Sequence, residues 1–149
     1  MELPDNAVDM LNAARGGFEH LLGLTFTAVS LERVVAELTA SEDHHQPYGL
    51  VHGGVYASLV ETVCSVGAAM NALADGRTTV GLDNHSSFLR AGRTGRLVAT
   101  ATPLKMGRNT QVWRAEVRDA DGRLCATGQV RVLCLEEGAS VAGEVLGLK

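Results

Sequence analysis

The chain has 149 residues, 46% apolar and 20% charged, with a formal net charge of −4, which suits one ordinary soluble globular domain, residues 1–149. Three scattered cysteines, Cys64, Cys125 and Cys134, have no CxxC spacing, which argues against a disulfide framework or a cysteine-based metal site. The start, Met1-Glu2-Leu3-Pro4-Asp5, lacks the basic and apolar regions of a secretory signal, so the cytoplasm is the expected compartment.

The charge is unevenly spread. Residues 1–76 hold two basic side chains against ten acidic ones, and residues 77–114 hold seven basic against one acidic. A basic segment in an acidic protein suggests a local anionic partner; it fits solvated strand ends equally well. With only Phe88 and Trp113 as aromatics there, single-stranded nucleic acid is not an expected ligand. No apolar run crosses a bilayer's thickness without meeting Glu61, so no membrane partner is expected.

In chain order, Ala7 to Arg15 reads as an amphipathic helix capped by Asp5 or Asn6, within an N-terminal helical segment over residues 1–16. Gly16-Gly17 breaks it, and Phe18 to Leu22 forms a further helical turn ended by Gly23. Leu24 to Ser30 and the loosely alternating Leu31 to Ala40 read as strands. Ser41 to Gly54 is a loop rich in turn residues. Val55 to Ala74 is one long helix, closed by Asp75-Gly76. Four strands follow: Thr78 to Leu89, Arg96 to Met106, Thr110 to Arg118 and Leu124 to Leu135. Pro103 inside the second of these implies a bulge or an unpaired position. Asp119-Ala120-Asp121-Gly122 is a hairpin turn, and residues 136–149 read as a loose tail. The order β-β-long helix-β-β-β-β with short connections predicts an α+β domain, an antiparallel sheet around one helix.

The long helix and the loop before it carry the candidate chemistry. Between Asp43 and Asp75 the one fully charged side chain is Glu61, in a helix apolar nearly all round. Such a carboxylate is costly without partners or a task, although Ser58, Glu61, Thr62 and Ser65 also fit the polar stripe of an amphipathic helix. Ser65 follows Glu61 by one turn and shares its face. Gly53 and Gly54 open the helix, where N–H groups lack intrahelical partners and carry partial positive charge. That is the layout of an oxyanion hole, or of a plain loop-to-helix turn. His44, His45 and His52 match no common zinc spacing, so no metal is expected.

The order and spacing of Gln46-Pro47-Tyr48-Gly49, His52-Gly53-Gly54, Glu61 and Ser65 continue into Asn84-His85-Ser86-Ser87-Phe88-Leu89-Arg90, Gly107-Arg108 and Asp121-Gly122-Arg123-Leu124-Cys125-Ala126. Together they resemble the hotdog-fold thioesterases of the phenylacetate-pathway and 4-hydroxybenzoyl-CoA (Arthrobacter-type) group, over roughly residues 17–132. The resemblance implies an acyl-CoA thioesterase that needs no cofactor. Glu61 would attack the thioester carbonyl or activate the attacking water. Gly53, with Gly54 beside it, would hold the thioester oxygen, assisted by the Gln46 amide. His52 would orient the carbonyl or protonate the leaving group, and Ser65 would hold the carboxylate or the water. Arg90 and Arg108 would meet the CoA phosphates.

The resemblance also implies a site shared by two subunits, with Glu61 from one and Gln46 and Gly53 from the other. A homodimer, or a dimer of dimers, is therefore expected. The expected substrate is an aromatic acyl-CoA, with Tyr48 and Met70 as candidate pocket residues. Two alternatives stand beside this reading. One is a hotdog dehydratase or hydratase, whose His-Phe-Pro-Gly or Asp-x4-His patterns are missing here. The other is a non-catalytic acyl-CoA-binding regulatory protein.

Overall fold

The computed structural model describes residues 3–146. Two short helices, α1 (Ala7–Ala13) and α2 (Gly17–Leu22), precede strands β1 (Thr25–Val29) and β2 (Val34–Ala40). A turn of 3-10 helix at Glu42–His44 leads to α3 (Gly53–Ala74). Strands β3 (Arg77–Phe88), β4 (Gly95–Met106), β5 (Thr110–Asp119) and β6 (Leu124–Glu136) follow. The six strands form one antiparallel sheet in the order β1-β2-β4-β5-β6-β3, packed against α3 as a hotdog fold.

The helix meets the sheet through Val55, Tyr56, Leu59, Val60, Val63, Cys64, Gly67, Ala68 and Ala72, all buried. Burying a Leu or Val side chain contributes roughly 1.5–3 kcal/mol, so Leu59, Val60 and Val63 alone anchor this face strongly. Gly67 lets the fully buried Trp113 of β5 come close, since a Cβ there would stand 2.5 Å from the indole ring. Trp113 Nε1 donates to Gln111 Oε1 (3.0 Å), and the Gln111 amide donates to the Ala68 carbonyl (3.4 Å). The two buried polar groups satisfy each other and tie β5 to α3.

Several elements differ from the sequence expectation. Residues Leu31 to Arg33 form a turn closed by Ser30, whose N–H donates to the Arg33 carbonyl, so β2 starts at Val34. Asn6 stands at the α1 N-cap with no side-chain hydrogen bond to the helix; the Asn6 cap predicted from sequence is therefore positional only. Pro103 does adjoin a bulge, between Pro103 and Lys105. Within the predicted tail, Ser140–Val141 and Glu144–Val145 pair as a minimal hairpin. Its last residues, 147–149, and the first two of the N-terminal segment lie outside the described residues.

The place of β3 follows the expected hotdog sheet: it lies apart from its neighbour in sequence, pairing with β6 at the sheet edge while β4 pairs with β2 and β5. Three strand spacings of about 4.8 Å separate β3 from β4, and the six residues Leu89 to Thr94 can extend about 20 Å. The connection passes over the start of α3, where the Val51 N–H donates to the Gly92 carbonyl (2.9 Å). One long edge of β3 consequently has no partner strand among the described residues.

Candidate active site

The loop ahead of α3 is a tight hairpin. His45 and Val51 form an antiparallel bridge, the Gly49 N–H donates to the Gln46 carbonyl (2.9 Å), and the Gln46 N–H donates to the Leu50 carbonyl (2.8 Å). Pro47 supplies the fixed φ of the first turn position. The Gln46 side-chain oxygen accepts from the Tyr48 N–H. Its NH2 group has no acceptor among the described residues. His44 Nε2 bonds the Leu22 carbonyl and His45 Nε2 bonds the Arg93 carbonyl, so both rings tie loops together.

His52 caps α3. Its Nδ1 accepts from the Gly54 N–H at 2.8 Å, which leaves the proton of the neutral ring on Nε2, at the exposed edge. Each glycine makes room for a ring. A Cβ at Gly54 would stand 2.9 Å from His52 Nδ1, and one at Gly53 would stand 2.6 Å from the Phe88 ring. Gly54, expected to help hold the substrate, has its N–H already engaged by the cap. The Gly53 N–H has no acceptor among the described residues and is the free donor at this helix start.

Glu61 lies just over two turns beyond Gly53, on the flank of α3 that faces β3. Its Oε1 accepts from Ser65 Oγ (3.0 Å) and its Oε2 accepts from Asn84 Nδ2 (2.9 Å). The carboxylate borders an open cleft of about 430 Å³ lined by Phe18, Ala57, Ser58, Glu61, Thr62, Asn84, Ser86 and Phe88. Glu61 is the one charged side chain among the described residues of that lining. Burial, and then the Glu61 charge beside it, push the Cys64 thiol far up, so Cys64 stays protonated and is no nucleophile. Burial also pushes Tyr56 up to about 12, leaving it a neutral packing residue.

Two features were not legible in the sequence. Asn84 belongs to the site through its bond to Glu61. Phe18, on α2, forms one wall of the cleft and also borders an adjoining hollow beside His52 and Gly54. α2 is held in place by its surroundings, since Arg15 donates to the Leu24 carbonyl and His44 bonds the Leu22 carbonyl. The aromatic lining is thus Phe18 and Phe88. Tyr48 points to solvent at 87% exposure, and neither it nor Met70 lines the cleft.

The two arginines chosen for the CoA phosphates stand at opposite ends of the sheet. Arg90 follows β3, near the start of β4, and Arg108 sits in the turn after β4. The twelve residues of β4 span roughly 36 Å, too far for both to meet one phosphate group from a single chain. Arg108 adjoins Arg77, which donates to its carbonyl. Among the described residues Gln46 makes no hydrogen bond to Glu61, and it does not line the cleft that Glu61 borders.

The sequence profile of the Thioesterase superfamily matches residues 48–126. The chain is similar to a proofreading thioesterase EntH of Cronobacter sakazakii, with 33% identity over 86% of this chain and 93% of that protein. It is 32% identical to a 1,4-dihydroxy-2-naphthoyl-CoA hydrolase of Listeria monocytogenes over 72% of this chain and 87% of that one. The crystal structure of a thioesterase from Haemophilus influenzae superposes with a TM-score of 0.82 at 31% identity, covering 87% of this chain and 91% of the other. The matched segment runs from the loop before α3 into β6 and holds the Glu61 carboxylate, the His52 cap and the free Gly53 N–H; the chain belongs to the thioesterase superfamily and is a hotdog-fold thioester hydrolase.

Proposed function

We propose that this protein hydrolyses acyl-CoA thioesters, preferring an aromatic acyl group, with Glu61 as the reacting carboxylate. The observation that carries the reading is Glu61 itself, the one charged side chain among the described residues lining an open cleft, with each oxygen bound by one donor and still bordering free space. An ionised carboxylate so placed can attack the thioester carbon, or take a proton from the water that does. Negative charge developing on the carbonyl oxygen needs a donor, and the Gly53 N–H supplies one at the positive end of α3. The outward Nε2–H of His52 and the free NH2 of Gln46 are further donors near that helix start. Water adds to the carbonyl carbon, the C–S bond breaks, and free acid and CoA thiol leave.

Phe18 and Phe88 flank the cleft and suit a flat acyl group. The likeness to the dihydroxynaphthoyl-CoA hydrolase supports the same choice, as does the resemblance to the phenylacetate-pathway and 4-hydroxybenzoyl-CoA group. The working unit is an antiparallel pair of chains joined along the free β3 edges, which would complete the site and extend the sheet. In that pairing Arg108 of the partner subunit approaches Arg90 of the first chain, so both can serve one nucleotide.

Thiol release from benzoyl, phenylacetyl and dihydroxynaphthoyl esters of CoA, against hexanoyl and palmitoyl esters, tests the acyl preference. Glu61→Gln tests the carboxylate. The amide is nearly isosteric but neither base nor nucleophile, so kcat should fall ~10²–10⁴-fold with KM little changed. A folded variant that keeps more than about a third of wild-type kcat refutes the role.

A further inference from the structure

We infer that Asn84 is the positioning residue of the Glu61 carboxylate, and that a bulge in β3 exists to aim it. The inference rests on Glu61 being the reacting group. Ser65 reaches Oε1 from the same helix, one turn on. Held by that bond alone, the carboxylate could swing about a single tether. Asn84 reaches Oε2 from β3, a different element, and two tethers on two oxygens fix the plane of the group.

The amide itself has one workable orientation. Its Nδ2 faces two acceptors, Glu61 Oε2 at 2.9 Å and the Ala57 carbonyl at 3.1 Å. Its Oδ1 accepts from Ser86 Oγ at 2.7 Å. Turned over, the amide would set an oxygen against two acceptors, so Ser86 and Ala57 lock the donor toward Glu61.

The register of β3 explains how Asn84 gets there. A Cβ on Gly81 would stand 3.1 Å from Glu61 Oε1, so Gly81 faces the carboxylate. Asn84 is three residues on, and strict strand alternation would turn it to the opposite face. The pairing with β6 slips between Gly81 and Asp83, leaving Leu82 as the extra residue. That bulge resets the alternation and turns Asn84 and Ser86 inward, a use of bulges known beside active sites. Gly81 leaves the room that the close approach requires.

The test compares Asn84→Ala and Asn84→Asp with wild type in kcat, KM and urea stability. Asn84→Ala should lower kcat ~10–100-fold with KM within about twofold. Asn84→Asp should lower kcat further, because it places an oxygen against Glu61 and Ala57 while keeping the shape. A purely structural role predicts the opposite order, since Asp fills the space and keeps the Ser86 bond while Ala leaves a hole.

Retention of more than about half of wild-type kcat by either folded variant overturns the inference. If both variants fail to fold, Ser86→Ala decides, because it leaves Asn84 in place and frees only its orientation. A kcat decrease of several-fold or more at unchanged KM supports the proposal, and wild-type kinetics overturn it. Glu61→Gln measured in parallel separates the layers. An active Glu61→Gln refutes the role of Glu61 itself, whereas an inactive one beside near-wild-type Asn84 variants refutes only the positioning.

Discussion

Mixing two inactive variants, Glu61→Ala and Gln46→Ala, asks whether each site draws on two chains. Gly53 begins α3 and Glu61 lies eight residues on, so a rise of 1.5 Å per residue separates them by about 12 Å along the axis. The Gly53 N–H points out beyond the helix start, away from Glu61. A carbonyl carbon and its oxygen are only about 1.2 Å apart, and one thioester cannot meet both groups of a single chain. Gln46, in the loop just before Gly53, falls on the Gly53 side of that divide. In a two-fold dimer, each mixed pair then has one site carrying both substitutions and one carrying neither. Equal amounts at random exchange give half mixed dimers, so activity should rise from near zero to about a quarter of wild type. Thiol release before and after exchange measures it, with exchange verified by native mass spectrometry of a tagged partner. Complete exchange of two variants that are each inactive, with no gain in activity, would refute the shared site.

Three further outcomes are expected. Gly67→Ala would press a methyl to 2.5 Å from the Trp113 ring, at the upper end of the about 1–3 kcal/mol that overpacking costs; less the roughly 1 kcal/mol helix gain of Ala, a net loss of about 1–2 kcal/mol should appear as a lower urea midpoint by circular dichroism, and an unchanged midpoint refutes the packing argument. Phe18→Ala removes the wall between the cleft and the hollow beside His52, of about 330 Å³. The kcat/KM ratio of bulky to small acyl esters should rise by roughly tenfold, and an unchanged ratio means that Phe18 does not bound the acyl group. Arg90→Ala and Arg108→Ala should each raise KM for CoA esters and leave kcat almost unchanged, with the defect much reduced for pantetheine thioesters that lack the nucleotide. Equal damage to both ester types would make these arginines structural.

The sequence is readable where local chemistry decides the structure. The long apolar run, the helix-opening glycines and the isolated charge of Glu61 mark α3 and its polar face without help from tertiary contacts. Pro103 announces its bulge because a proline has no N–H to give to the ladder. Other features depend on contacts between distant segments. Asn84 faces Glu61 only because one extra residue at Leu82 shifts the strand; Gly81 inside a strand hints at a bulge, but not at which side chain the bulge turns inward. Phe18 reaches the cleft through α2, a six-residue helix whose place is set by bonds from Arg15 and His44. The pairing of Arg90 with Arg108 fails within one chain because both belong to the same basic stretch of sequence, while an intervening strand carries them to opposite ends. The engagement of the Gly54 N–H was hidden for a different reason. A histidine before two glycines reads as a substrate ligand or as a helix cap, and only the ring's rotamer separates them.

The burial of Trp113 gives the protein an optical reporter of its own. It is the single tryptophan of the chain, its indole lies wholly out of solvent against Gly67, and its ring nitrogen is bonded to Gln111. Its emission should be blue-shifted in the native state and should move to the red when α3 lifts from the sheet. Because Gly67 lies on the same helix as Glu61, the colour of that emission reports whether the element carrying the carboxylate is seated, without any added label. Stopped-flow emission during refolding would therefore time the docking of α3, and the return of hydrolytic activity could be compared with it on one clock.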